Sequence, residues 1–392
     1  MADIPPYPLY NRTYMLYRVS PLHHGDRPLL HPLSLRTHAK RLQEQLKGDN
    51  VRGVQVNYAG TEDALPNLGP LQDCEWDMIG DEDAWIDHYR QLVEPDASQL
   101  STVMTADQAR GIHVTLNYEK QSYNALLLRD PAVTTAPEAF TALPLLFVKM
   151  PAQIREFFLA YMRTSFDAHV VPLKLPSTFL TTSLETYFRH LSASDSTQSI
   201  LDVIRQLQIQ LAFPNATTLL KHLDITIAGR HVSGFLDRGK AMNQSKEHPF
   251  TSALAVYVKK HLAIDMSHPK VQISRVACGG FSLATDRMKL LAPATSTDAS
   301  FESSAPEFSA SQLAVNEVYT SLVREATGTG KFLAQDNQRE VASATPSSPA
   351  SKRRADGRKR AGSSATTGNN ATKRPKGRGR GGDTRDSDTT HA

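Results

Sequence analysis

The chain has 392 residues, 40% of them hydrophobic, and only two cysteines, Cys74 and Cys278. That length is enough for one large domain or two ordinary ones with a real core. Two thiols exclude a disulfide framework and a four-thiolate zinc site. The net charge of +4 is unevenly spread: residues 341–392 hold 12 Lys and Arg against 4 Asp and Glu, leaving 32 basic against 36 acidic groups in the first 340. A mildly acidic body with a basic tail is therefore expected. No stretch approaches the roughly 18 apolar residues of a membrane span. The N-terminal run also lacks the basic start and apolar core of a signal peptide. The expectation is a soluble, intracellular protein with no membrane partner and no cofactor.

Residues 13–19 read as a strand. Ser34 then stands as an N-cap before a helix with Leu35, Ala39, Leu42 and Leu46 on one face, close to the 3.6-residue period. Residues 51–58 return to strand, and Cys74, Trp76 and Met78 alternate in the same way. Asp81, Glu82 and Asp83 ahead of Trp85 look like an acidic helix start, where carboxylates favour the positive end of the dipole. Ile112, Val114, Leu116 and Tyr118 alternate with polar residues, 119–122 turn the chain, and 123–128 lead back as a hairpin. Residues 143–148 form a short, fully apolar run, read as a buried strand.

Pro151 sits where a helix would begin, and Ile154, Phe157, Phe158, Tyr161 and Met162 give its apolar stripe. Residues 170–175 are extended, with Pro172 confining them to an edge or a loop. A helix over 177–191 follows, then a half-buried strand in which Leu207, Ile209, Leu211 and Phe213 alternate with Gln206, Gln208 and Gln210. Leu223, Ile225 and Ile227 mark the next strand, and a helix over 249–262 buries Phe250, Ala253, Leu254, Tyr257 and Val258. Residues 271–290 read as one long terminal strand that Gly279 and Gly280 bend or bulge. This succession is not a strict alternation of strand and helix. It points to an α+β fold with a curved, largely antiparallel sheet and helices packed on it, followed by a disordered basic tail. The expected division is a domain over 1–291, a linker with one short amphipathic helix over 292–334, and the tail over 335–392. The helix, with Leu313, Val315, Val318, Tyr319, Leu322 and Val323, either docks on the body or meets a partner.

The tail carries the sharpest local motif. Lys352, Arg353, Arg354, Arg358, Lys359 and Arg360 form one basic cluster, and Lys373, Arg374, Lys376, Arg378 and Arg380 form a second. Their spacing fits a bipartite nuclear-import signal. The same charges suit contact with nucleic-acid phosphates, and the Arg-Gly run beginning at Gly377 suits sequence-tolerant binding. A solvated tail without a role is the plainer alternative. Thr345 and Ser348 each precede a proline, so phosphate there would offset part of the local charge.

Catalytic signatures fall short. Residues 326–332 superficially resemble a phosphate loop, but Glu325 stands where glycine is needed and Phe332 where the magnesium-holding hydroxyl belongs. His23, His24, His31 and His38 lack any accompanying Cys or carboxylate spacing, so loop roles are expected rather than a metal.

Several segments taken together are familiar: 8–22 (PLYNRTYMLYRVSPL), 34–56, LGPLQDCEWDMI over 68–79, the hairpin 111–129, 143–175, FLTTSLETYF, and LQIQLAFP over 207–214. Their order and character resemble the CENP-L family as found in fungi, a subunit of the constitutive centromere-associated network of the inner kinetochore. The resemblance spans residues 8 to about 290 and does not include the basic tail. It implies a non-enzymatic structural subunit in the nucleus. It also implies a heterodimer with a CENP-N-like chain through C-terminal strands, within an assembly that includes CENP-C at centromeric chromatin. On this sequence those strands are 271–290, with Val271, Ile273, Phe281 and Leu283 as expected contacts if that segment forms a sheet edge. The alternative for that segment is an internal strand closing the core. The alternative for the whole protein is a chromatin- or RNA-associated binding protein that works through its tail. An enzyme of unfamiliar type is a third.

Overall fold

The computed structural model describes residues 4–51, 68–93, 104–133, 136–192, 204–214, 220–242, 247–292 and 310–328. Thirteen strands are found among them. They are β1 Tyr14–Val19, β2 Leu22–His23, β3 Leu71–Ile79, β4 Gly111–Tyr118, β5 Ser122–Leu128, β6 Phe140–Thr141 and β7 Leu145–Lys149. The later ones are β8 Val170–Pro172, β9 Gln206–Ala212, β10 His222–Ala228, β11 Gln272–Ala277, β12 Phe281–Ala284 and β13 Arg287–Leu290. Seven α-helices accompany them: α1 Pro32–Val51, α2 Glu82–Val93, α3 Ala152–Phe166, α4 Ser177–Leu191, α5 Gly229–Ala241, α6 Pro249–Leu262 and α7 Ala310–Thr327.

Eleven strands form one sheet in the order β10-β9-β11-β12-β13-β1-β7-β5-β4-β3, with β8 beside β1. Every strand pairing is antiparallel. The centre is β1, which lies along β7 on one side and shares its other side between β13 and β8. Alternation along β1 sends Tyr14 and Leu16 into one core cluster and Tyr17 and Val19 into another, as the two-residue period of a strand requires. Helices α1 and α3 belong to the second cluster, whereas α4, α5, α6 and α7 belong to the first. The α+β, antiparallel expectation from sequence holds.

Most predicted elements recur with shifted ends. The first helix starts two residues before Ser34, which is therefore inside it rather than its cap. Val51 closes that helix, and the rest of the expected 51–58 strand lies outside the described residues. Phe157 is 51% exposed while Ile154, Phe158, Tyr161 and Met162 are buried, so the α3 stripe is narrower than its pattern suggests.

Three features differ more deeply. The expected terminal strand is a three-stranded meander, and Gly279 and Gly280 form the turn between β11 and β12 rather than a bulge. A side chain at Gly280 would press on the Tyr187 ring from 2.7 Å, so this turn needs glycine for close approach. The helix at 310–327 packs in cis: Val315, Val318, Leu322 and Val323 are buried in the first cluster, and the Tyr319 hydroxyl donates to the Arg129 carbonyl at 2.8 Å. It belongs to the folded body rather than to a linker. Helix α5 carries no clear sequence signal, because Gly229, Gly234 and Gly239 interrupt it. A Cβ at Gly239 would overlap the Pro249 carbonyl, so α5 and α6 approach more closely there than any other residue permits.

Candidate partner interface

The sheet edge begins with β9, whose Leu207, Ile209 and Leu211 are buried and whose glutamines point the other way. Strand β10 pairs with β9 over its whole length, His222 to Ala212 through Ala228 to Gln206. No further strand lies beyond it among the described residues. Its inward-facing residues are incompletely covered. Ile227 is 6% exposed, whereas Leu223 and Ile225 are only partly buried against the core. On the opposite side Asp224 accepts from the Gln210 amide at 2.9 Å. The outer backbone groups of such a strand template pairing with another chain.

A buried carboxylate stiffens the scaffold behind this edge. Glu185 of α4 is 3% exposed and faces the start of α6. Its Oε1 accepts from the Thr251 N–H and from the Thr251 hydroxyl, both at 2.7 Å, and Oε2 accepts from the Phe250 N–H at 3.4 Å. It thus caps from another helix the orphan donors that no side chain of α6 satisfies. Phe188 of α4 and Phe235 of α5 then pack tilted against Phe250 of α6, with ring centroids 4.8 and 5.7 Å apart.

The residues expected at the interface do not lie on a sheet edge. Strand β11 is flanked by β9 and β12, and β12 by β11 and β13, so neither is an edge. Ile273 is 6% exposed and its N–H donates to the Ser177 hydroxyl at 3.1 Å. Phe281 and Leu283 are fully buried, Phe281 standing edge-on to Tyr187 at 5.3 Å, and Val271 packs on the core. The edge position assigned to 271–290 is thus corrected, because both sides of these strands are already paired within the chain. The signal that could have marked β10 instead is the charge within it and before it, Asp224 and Lys221, a usual device of edge strands. All the basic tail residues, Thr345 and Ser348 lie outside the described residues.

The early histidines have packing and hydrogen-bonding roles, and His38, expected in a loop, lies instead within α1. His23 packs on Phe140, His24 Nδ1 lies 2.9 Å from the Gly25 carbonyl oxygen, and His31 Nδ1 accepts from the Leu33 N–H at 3.3 Å. His38 Nδ1 lies 2.9 Å from the Tyr161 hydroxyl, with its ring among Trp76 and Phe166. Burial lowers its pKa to about 4, and the Arg41 charge adds to that. Among the described residues no group of three or more His, Cys, Asp or Glu is placed to hold a metal, and no helix is long and apolar enough to cross a membrane.

An antiparallel sheet with helices on both faces, ending in an edge strand of partly covered apolar side chains, defines a scaffold of the α+β class. The family model described as Centromere protein L matches residues 8–327, ending where α7 ends. The chain belongs to the CENP-L family, whose members are structural components of the kinetochore and centromere, located in the nucleus. Membership implies association with other kinetochore subunits. No curated protein matches the chain.

Proposed function

We propose that this protein is a structural kinetochore subunit that forms a heterodimer with a CENP-N-like chain by sheet extension at β10. The observation that carries this reading is the paired-on-one-side strand with Leu223 and Ile225 incompletely covered. An incoming antiparallel strand would satisfy the outer backbone groups and cover those side chains. CENP-C belongs to the same reading as a neighbour in the assembly. The mechanism is binding without turnover chemistry.

The basic tail completes the proposal. Lys352 to Arg360 and Lys373 to Arg380 supply nuclear import, and the same charges contact DNA phosphates near the centromere. Phosphate on Thr345 or Ser348 would weaken that contact. The test of the pairing is co-purification of the CENP-N-like chain with a Leu223→Asp, Ile225→Asp double variant. Loss of the partner from a variant with unchanged circular dichroism supports β10. Undiminished recovery sinks it. A steep salt dependence of DNA binding that disappears on deleting 341–392 assigns the nucleic-acid contact to the tail.

A further inference from the structure

The helical hairpin of α5 and α6 has an outer face that the fold does not use. Its two helices carry Arg230, Arg238, Lys240, Lys259 and Lys260 against one acid, Asp237. The wider stretch 205–275 holds ten Lys and Arg against four Asp and Glu. Lys259 is engaged by Asp265 at 3.0 Å. Arg238, Lys260 and His261 are exposed.

Arg238 and Lys260 flank apolar surface rather than a uniformly polar one. The Arg238 guanidinium lies 4.6 Å from the centroid of the Phe235 ring. Phe235 meets Tyr257 edge-on at 5.5 Å, and Tyr257 meets His261 at 4.3 Å. The line from Arg238 to His261 thus crosses the groove between the helices as a continuous set of ring contacts. Its solvent side is open: Tyr257 is 42% and Val256 50% exposed, and Lys260 lies one turn beyond Val256. An exposed tyrosine beside a valine, ringed by cations, has the composition of an interface core with a charged rim.

We propose that this face docks a short acidic segment of a partner protein, one aliphatic or aromatic side chain of which covers Val256 and Tyr257. Carboxylates on either side of that anchor then meet Arg238 and Lys260. Charge fixes the sign of the partner, and the apolar centre favours a peptide over a nucleic-acid backbone, which would leave Val256 and Tyr257 uncovered. The surface adjoins β10 through the Ala228–Gly229 junction but does not rest on sheet extension there.

Fluorescence anisotropy on the full chain at about 150 mM salt tests this with three probes. One is a dodecapeptide of Asp and Glu around a central Phe-Leu pair. The second is the same peptide with Ser-Ser at its centre, and the third is a short DNA duplex. The Phe-Leu peptide is expected to bind tightest of the two peptides, and Tyr257→Ala or Lys260→Glu to weaken it roughly tenfold each. Lys260 is exposed, so its variant keeps the fold even if Tyr257→Ala loosens α6. Equal binding of the Ser-Ser peptide overturns the proposal, as does duplex binding that both substitutions weaken. Indifference of peptide binding to both substitutions also overturns it, because binding would then reside in the basic tail.

Discussion

The two outer strands of the large sheet are built from opposite materials. On β3 Cys74 and Trp76 are buried and Met78 is partly so, while Asp73, Glu75 and Asp77 project from the other face. Trp76 sits within 6.4 Å of Phe158, Tyr161 and Phe166, and near His38, so α1 and α3 are pinned to this end. Burial raises the pKa of Glu75, with the charges of Asp73 and Asp77 adding to it, and burial raises that of Asp77 against the opposing charges of His88 and Arg36. On β10 the alternation is the same but the cover is incomplete, and only Ile227 is buried. Residues 71–90 hold seven acids against one Arg, while 205–275 are strongly basic. One end of the sheet has spent its apolar side chains on its own core. The other leaves Leu223 and Ile225 partly uncovered, within a basic surround.

The sharpest way to break this contrast is to cut into the β3 end. Trp76→Ala removes the hub of an aromatic cluster and should cost about 3–5 kcal/mol, read from urea midpoints. A value below about 1 kcal/mol would mean that the cluster is no anchor. Next in size is a pH effect. His113 of β4 lies 2.9 Å from Asn124 Oδ1 and 6.1 Å from Trp85, and burial lowers its pKa to about 4, against the smaller opposing effect of that hydrogen bond. The unfolded chain takes up this proton near pH 6.5 and the folded one only near 4. Stability is therefore full above pH 6.5 and falls as the pH drops, by at most about 2 kcal/mol down to pH 5, less what the ring's partial exposure screens. His113→Gln should flatten that slope. An unchanged slope would assign it to other groups.

The smaller effects sharpen the β10 end. Gly→Ala inside a helix ordinarily stabilises by up to about 1 kcal/mol, and Gly234→Ala should do so, since nothing lies within 4 Å of its new Cβ. Gly239→Ala should instead destabilise by about 1–3 kcal/mol, because the Pro249 backbone must move. Thermal midpoints of the two variants should shift in opposite directions. A shared sign would mean that α5 and α6 do not pack as closely as described.

Local patterns made much of this fold legible. The termini of α4 and α6 follow directly from the Ser177 and Pro249 starts, and the β4–β5 hairpin from its alternation. Helix α5 was hidden because Gly229 and Gly239 serve close approach to the backbones of Ile204 and Pro249, a purpose with no local periodicity. Sheet order was hidden for a different reason. Tyr14 pairs with Met288, and no short-range rule joins residues so distant. That pairing places the C-terminal meander inside the sheet and leaves β10 at the rim, so the interface proposed above is at Leu223 and Ile225 rather than at Ile273. The resemblance named the family, and the topology then placed 271–290 inside the sheet and β10 and β3 at its edges.

The most direct test of that relocation is hydrogen exchange on the chain alone and with its CENP-N-like partner bound. The account predicts that the alternate amides of 222–228 that point away from β9 exchange fast in the free chain and become protected in the complex, with β11 to β13 slow in both. Protection that appears anywhere except β10, with 222–228 unchanged, would contradict it.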